Sequence, residues 1–180
     1  MYRLKFSVPN LCKISLFSAL KSIVQVVDIK TRAATTADLA VLKAFEQGII
    51  QFERPFAPNL KEDPIEYYDL KSLIERTDAY VVVATVGDEI VGSGYGLIKD
   101  SKPYEKTEQH VYLGFMYVSP QFRGQGINGK IIDQLLKWTK ERNLTELKLE
   151  VYAENEMAIN AYEKRNFKPD LLKMRLNIEE

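Results

Sequence analysis

Two periods of apolar and polar positions alternate along this chain, and the switches between them mark its elements. Asp28–Arg32 alternates and predicts a first strand. Thr35 or Thr36 can cap a helix running to about Ile50, with Asp38 in its first turn where the helix dipole favours an acid. Pro55 and Pro58 break the chain, and Pro64 can start a second helix to about Arg76. Tyr80–Val86 is β-branched and apolar, Gly87-Asp88 makes a turn, and Glu89–Ile98 forms the next strand. After a polar loop over Asp100–Thr107, His110–Val118 reads as a long aromatic strand, whose parity would put His110, Tyr112, Gly114 and Met116 on one face. Apolar residues at 127, 131, 132, 135, 136 and 138 give Ile127–Arg142 helical spacing. Leu147–Val151 alternates as a strand, Asn155–Arg165 is a shorter helix, and Phe167–Ile178 alternates as a final strand.

This order predicts an α/β fold of the α+β kind: a mixed, mostly antiparallel central sheet flanked by helices. The meander lies in the middle, and the strand–helix–strand unit after His110 should be a right-handed parallel crossover. No repeat or linker interrupts residues 28–180, which are expected to form a single domain. Residues 1–27 differ. They carry Arg3, Lys5, Lys13 and Lys21 and no acid, and they read as an N-terminal extension without a catalytic role. The stretch Ile14–Leu20 is too short to span a membrane.

Composition narrows the chemistry. With 25 Lys plus Arg against 25 Asp plus Glu, the net charge is zero. A general affinity for nucleic-acid phosphates needs a basic excess or face, so no nucleic-acid partner is expected. The single cysteine, Cys12, excludes an intrachain disulfide, and the single histidine, His110, cannot build a two-histidine metal site. No metal and no membrane partner are expected, and a reducing, cytoplasmic setting fits best.

The most informative stretch is Val118-Ser-Pro-Gln-Phe-Arg-Gly-Gln-Gly-Ile-Asn-Gly-Lys130. Gly124, Gly126 and Gly129 stand between a strand and a helix. Such a turn points unpaired N–H groups one way at the positive end of the helix dipole, which suits phosphates. Three phosphate-binding patterns compete for it. Gly124-x-Gly126-x-x-Gly129 matches a dinucleotide fingerprint, with Glu150 at a suitable distance. Gly124-x-x-x-x-Gly129-Lys130 nearly matches a nucleotide P-loop, but Ile131 stands where Ser or Thr must hold Mg²⁺. Gln121-x-x-Gly124-x-Gly126 resembles the pyrophosphate-binding motif of the GNAT N-acetyltransferase superfamily.

The surroundings favour the third. A dinucleotide fold needs repeated strand–helix–strand units and usually begins with its glycine turn, whereas four strands precede this one. Downstream, Asn155-x-x-Ala158-x-x-x-Tyr162-x-x-x-Asn166-Phe167 resembles the GNAT pattern Asn-x-x-Ala-x-x-x-Tyr-x-x-x-Gly-Phe. Asn166 replaces Gly there, and Asn is the next best residue for a left-handed helix cap. Upstream, Thr31–Leu39 looks like the family's opening strand and helix.

The resemblance implies an N-acetyltransferase that moves an acetyl group from acetyl-CoA to a primary amine of a small molecule or peptide. It implies that the backbone of Arg123, Gly124, Gln125, Gly126, Ile127, Asn128 and Gly129 holds the pyrophosphate. The pantetheine arm would lie beside Met116, Tyr117 and Val118, and Asn155 would contact the cofactor. Tyr162 aligns with the tyrosine that many relatives place beside the CoA sulfur as general acid. Two candidates stand for the base. Glu150 lies five residues before Asn155, where ribosomal-protein alanine acetyltransferases carry a glutamate. His110 lies on the strand leading to the glycine turn, with an intrinsic pKa of about 6.5 that suits a base. Water-mediated deprotonation is the third route. A non-catalytic module that binds acyl-CoA and regulates a partner is the alternative reading, and a homodimer is possible because many relatives pair through sheet edges or C-terminal strands.

The acceptor pocket is expected between the first strand and Tyr80. Phe52, Phe56, Tyr67 and Tyr68 lie there, as does Glu53. Residues 36–78 carry nine Asp or Glu against five Lys or Arg. An acidic, aromatic mouth would favour a cationic amine.

Overall fold

The structure is a computed structural model that describes residues 28–178, and the expected extension at 1–27 lies outside them. Five strands form one sheet in sequential order: β1 (Ile29–Ala33), β2 (Ala79–Val86), β3 (Glu89–Asp100), β4 (Gln109–Val118) and β5 (Leu147–Leu149). The first four run antiparallel, and β5 lies parallel to β4. This is the mixed, mostly antiparallel sheet that the pattern predicts. The parallel pair follows from its connection, since a strand that returns through a helix must run the same way as the first.

Helices cover both faces. Helix α1 (Leu39–Glu53) and the short α2 (Leu70–Glu75) lie on one side, and α3 (Ile127–Glu141) on the other. The alternation of β2 divides the core between them. Val81 and Val83 pack with Leu42, Phe45, Ile49, Leu70 and Leu73, while Val82 and Ala84 pack with Ile127, Ile131, Leu135 and Trp138. Helix α4 (Glu156–Glu163) closes one end, held to α3 by Arg165, which bonds the Gly129 carbonyl at 3.0 Å and pairs with Asp133.

A bulge in β4 corrects the expected parity. Tyr95 pairs with Gly114 but Ser93 pairs with Tyr117, so β4 carries one extra residue there. Phe115 takes a positive φ of 57°, and its carbonyl accepts the hydroxyl of the buried Ser93 at 3.2 Å. The extra residue turns the strand over. Tyr112 packs on the α1 side but Met116 packs toward α3, so the two do not share the expected face, and Phe115 and Tyr117 take the α1 side. Gly114 is required here, because a Cβ would come within 2.5 Å of the Tyr95 ring.

Two further expectations change. The second helix does not begin at Pro64. The N–H groups of Tyr67 and Tyr68 are taken by the Glu46 carboxylate, so that stretch cannot join a helical ladder, and the helix starts only after Asp69, whose side chain accepts from Ser72 N–H. The final strand at Phe167–Ile178 is absent. Alternation only says which side chains could share a face, and a strand also needs a partner edge. The tail has none among the described residues, and Leu171, Leu172, Met174, Leu176 and Ile178 are between 68% and 90% exposed. Elsewhere the elements match to within a few residues.

Candidate active site

The glycine turn follows β4 directly. Ser119-Pro120 ends the strand, a single 3-10 turn spans Pro120–Phe122, and α3 begins at Ile127. Gly124 and Gly126 have φ of 77° and 81°, which side-chain-bearing residues adopt only with strain. A Cβ at either would meet nothing within 4 Å, so the turn's surface is open on that side. Backbone conformation, not crowding inside the protein, demands these two glycines. Gly129 lies within the helix beneath the Arg165 side chain. The first helical bond runs from Lys130 N–H to the Gly126 carbonyl at 3.2 Å. The N–H groups of Ile127, Asn128 and Gly129 therefore precede the ladder and point outward at the positive end of a fifteen-residue helix. Arg123 braces the turn, with Nε on the Val118 carbonyl at 3.2 Å and its guanidinium 5.4 Å from the Phe52 ring centre.

A slot opens beside this turn. β4 and β5 pair at only three positions, ending at Leu113 with Leu149. Beyond them β4 continues to Val118 while the other chain turns away. Among the described residues, one edge of Gly114–Val118, the stretch with the bulge, thus has no neighbouring strand. Met116, Tyr117 and Val118 line that edge, and the glycine turn lies at its end.

Tyrosines and acids follow on α4 and after β5. Tyr162 on α4 is largely enclosed, packed edge-on against Phe167 with ring centres 5.8 Å apart. Burial, with a smaller contribution from the Glu53 charge, pushes its hydroxyl up to about 12. Asn155 is buried and caps α4, its side chain accepting Ala158 N–H at 3.1 Å. Asn166 takes the left-handed conformation, φ 67°, that its place after the helix requires. Glu150, just past β5, is exposed and accepts the Tyr112 hydroxyl at 3.4 Å.

His110 is not brought into this cluster. It lies at the opposite end of β4 from the turn, roughly 20–25 Å from Tyr117 at strand rise. It is buried, and Nδ1 is 3.0 Å from the Ser101 hydroxyl. Burial and then the Lys148 charge lower its pKa, against the opposing pull of Glu105 and Glu146.

The side where the acceptor pocket is expected is a loop laced along α1. Lys43 pairs with Glu66 at 3.4 Å, Gln47 bonds the Ile65 carbonyl at 3.1 Å, and Gln51 bonds Asp63 at 3.1 Å. Arg54 reaches both Asp63, at 2.5 Å, and the Lys61 carbonyl, at 3.0 Å. At the centre the Glu46 carboxylate, 1% exposed, accepts Tyr67 N–H at 2.7 Å and Tyr68 N–H at 2.8 Å. The loop thus runs antiparallel to the helix, fixed at every turn. Phe56, at the foot of α1, stacks on Tyr152 with ring centres 6.2 Å apart, which joins this wall to the segment after β5.

Sequence reasoning named Phe52, Phe56, Tyr67, Tyr68 and Glu53 but missed Glu46, Tyr112 and Tyr152. One signal for Glu46 was available. It interrupts the apolar stripe Leu42, Phe45, Ile49, so its charge had to be buried and answered.

The description "Acetyltransferase (GNAT) family" is that of the family profile that matches residues 46–167. Over 56 residues the chain is 39% identical to the thialysine N-epsilon-acetyltransferase of Mus musculus, covering 31% of this chain and 33% of that protein. Over 105 residues it is 26% identical to N-alpha-acetyltransferase 30 of Schizosaccharomyces pombe, covering 58% of this chain and 68% of that one. The chain thus spans about a third of the length of the first relative. The fold matches a predicted acetyltransferase from Clostridium acetobutylicum crystallised with acetyl-CoA, with a TM-score of 0.62 at 20% identity over 84% of this chain and 97% of that one.

Proposed function

Because this chain belongs to the GNAT acetyltransferase family, we propose that it transfers an acetyl group from acetyl-CoA to a primary amine by direct attack. The observation that carries this reading is the unpaired edge of Gly114–Val118 running into an open glycine turn. An extended pantetheine arm can add to such an edge as a strand would, and a pyrophosphate can sit on N–H groups at the start of α3. The donor set fits the group: backbone N–H without internal partners, no side chain over Gly124 or Gly126, and Arg123 beside them. Acetyl-CoA supplies the activated thioester. The protein supplies position, an electrostatic environment and protons.

Tyr162 is the proton donor to the leaving thiolate in this reading. A hydroxyl held up to about 12 stays protonated throughout the neutral range, as a general acid must. Asn155 caps α4 and so sets where Tyr162 stands, and a contact to the cofactor is compatible with that cap. Glu150 borders the same slot through Tyr112, whereas the placement of His110 suits a structural role. The exposed apolar tail suggests a homodimer seam with a second copy. Among the described residues no helix is long and apolar enough to cross a membrane.

The test is thermal unfolding with and without millimolar acetyl-CoA. At about 100 times its dissociation constant the ligand adds roughly 2.7 kcal/mol to the native state, a shift of several degrees. A response to NAD but not to acetyl-CoA would remove the proposal. Release of CoA thiol with amines then separates the enzyme from a binding module.

A further inference from the structure

Two groups in the acceptor wall lack the partners that burial ordinarily requires. The Tyr67 hydroxyl is fully enclosed and has no hydrogen-bond partner, the only such buried side-chain atom among the described residues. The Glu53 carboxylate is half-buried at the last residue of α1, and among the described residues no Lys or Arg pairs with it. Its neighbour Arg54 is turned away, held by Asp63 and the Lys61 carbonyl. A carboxylate withdrawn from water without a cation, and a hydroxyl withdrawn without an acceptor, are both destabilising. They are also adjacent. Each acts on the other electrostatically, although neither closes a bond of full geometry.

We propose that Glu53 and the Tyr67 hydroxyl receive the ammonium group of a primary alkylamine, and that Glu53 takes its proton before transfer. This rests on the acetyltransferase reading of the same site. A cation with three N–H donors supplies what both groups lack. It gives Glu53 a counter-charge and Tyr67 a hydrogen-bond partner. The position is right for the chemistry, because the Glu53 charge is also felt at the Tyr162 hydroxyl, the proposed acid, and at Tyr152. Phe52, the residue before Glu53, touches Arg123 of the glycine turn. The receiving site and the cofactor turn therefore share one wall. Glu150, by contrast, is exposed and already holds the Tyr112 hydroxyl.

The other groups around Glu53 come from every packed element. They are Arg54, whose charge is felt at Tyr67; Tyr67 and Tyr68 from the loop; Tyr112 from β4; Tyr152 after β5, where the Glu150 charge also acts; and Tyr162 from α4. The tyrosines remain neutral through the neutral range, so burial dominates and raises the Glu53 carboxyl above its ordinary value. That brings it nearer to the pH at which it must accept a proton.

The step balances. R–NH₃⁺ gives one proton to Glu53, and the freed lone pair forms the C–N bond at the thioester carbonyl. As the C–S bond breaks, Tyr162 protonates sulfur and regains a proton from the nitrogen. R–NH₃⁺ and acetyl-S-CoA become R–NH–CO–CH₃, CoA–SH and one proton, which leaves from Glu53.

The experiment compares the full chain with Glu53→Gln and Tyr67→Phe. Acetyl-CoA affinity is measured first, then thiol release with 1,5-diaminopentane, lysine methyl ester and an alanyl peptide. 4-Aminobenzoate serves as an arylamine that is already neutral. Glu53→Gln is expected to lower kcat/KM for the alkylamines on the order of 100-fold or more. It should leave acetyl-CoA affinity unchanged and abolish the acid limb of the pH profile, since activity in the parent falls as Glu53 becomes protonated. Tyr67→Phe removes a hydroxyl that closes no hydrogen bond of full geometry within the described protein, so its melting temperature should hold or rise while KM for the amine rises. Alkylamine transfer within threefold of the parent in Glu53→Gln overturns the proposal. So does a parent that binds acetyl-CoA and acetylates only the arylamine, an outcome that leaves the acetyltransferase reading standing. Failure to bind acetyl-CoA removes that reading, and with it the premise.

Discussion

Glu46 offers the sharpest test of how the acceptor wall is held. Both loop N–H groups, from Tyr67 and Tyr68, converge on the same carboxylate oxygen, Oε1, at 2.7 and 2.8 Å. Bonds to a charged acceptor contribute about 1.5–3 kcal/mol each, and neutral ones about 0.5–1.5. Glu46→Ala removes the shared acceptor of both bonds at a site 1% exposed, and a loss of about 3–5 kcal/mol is expected, a large part of a typical domain's stability. Glu46→Gln places an amide oxygen where Oε1 stands and can keep both bonds without the charge, so about 1–2 kcal/mol is expected. Urea unfolding gives the two numbers. Hydrogen exchange adds a local reading: the Tyr67 and Tyr68 amides should exchange faster in Glu46→Ala than in Glu46→Gln, while β3 amides change only with global stability. If the two variants have equal stability, or if the two tyrosine amides keep their protection in Glu46→Ala, the carboxylate does not hold the loop and the argument fails.

Other consequences concern the cofactor, the acid, the fold's acid limit and the tail. Gly126→Val should cost about 1–2 kcal/mol through its positive φ alone and weaken acetyl-CoA binding at least tenfold in titration calorimetry. Unchanged affinity would move the phosphate site elsewhere. Tyr162→Phe should lower kcat while leaving acetyl-CoA affinity intact. With its hydroxyl pushed up to about 12, the parent's rate should show no loss as pH rises through 10, and a fall there would point to a different acid. Asp38 accepts two bonds from Arg32 and one from Thr35 N–H, which hold its carboxyl down from 3.8 to about 2. A depressed carboxyl stabilises the fold above the unfolded value and loses that contribution as pH falls from about 4 to 2. Asp38→Asn should therefore remove up to about 2 kcal/mol at pH 7 and little at pH 2 in urea titrations. Replacing Met174 and Leu176 with Glu should lower self-association in sedimentation velocity, and an unaltered profile would dissociate the tail from any dimer.

Much of this protein was legible in order and period. The alternation at Val81–Ala84 and the helical spacing at Ile127–Trp138 fixed which residues meet, because burial selects the face and backbone geometry sets the repeat. Gly124 and Gly126 marked the turn, Asn155 the start of α4 and Asn166 its left-handed end, since each answers a local backbone demand. Tertiary structure decided what depended on a partner distant in sequence. Only the pairing of β3 with β4 placed the extra residue at Phe115, which reversed the side that Met116 faces. Only the burial of Glu46 against the loop stopped a helix from forming at Pro64. The Phe167–Ile178 alternation met no edge to pair with among the described residues, so its pattern remained unused there. The same distinction separates the halves of the site. The glycine turn, the proposed phosphate site, is written in consecutive residues because it is built from backbone. The proposed acceptor wall joins Glu53, Tyr67, Tyr152 and Tyr162 from four separate segments, and their proximity is a property of packing alone.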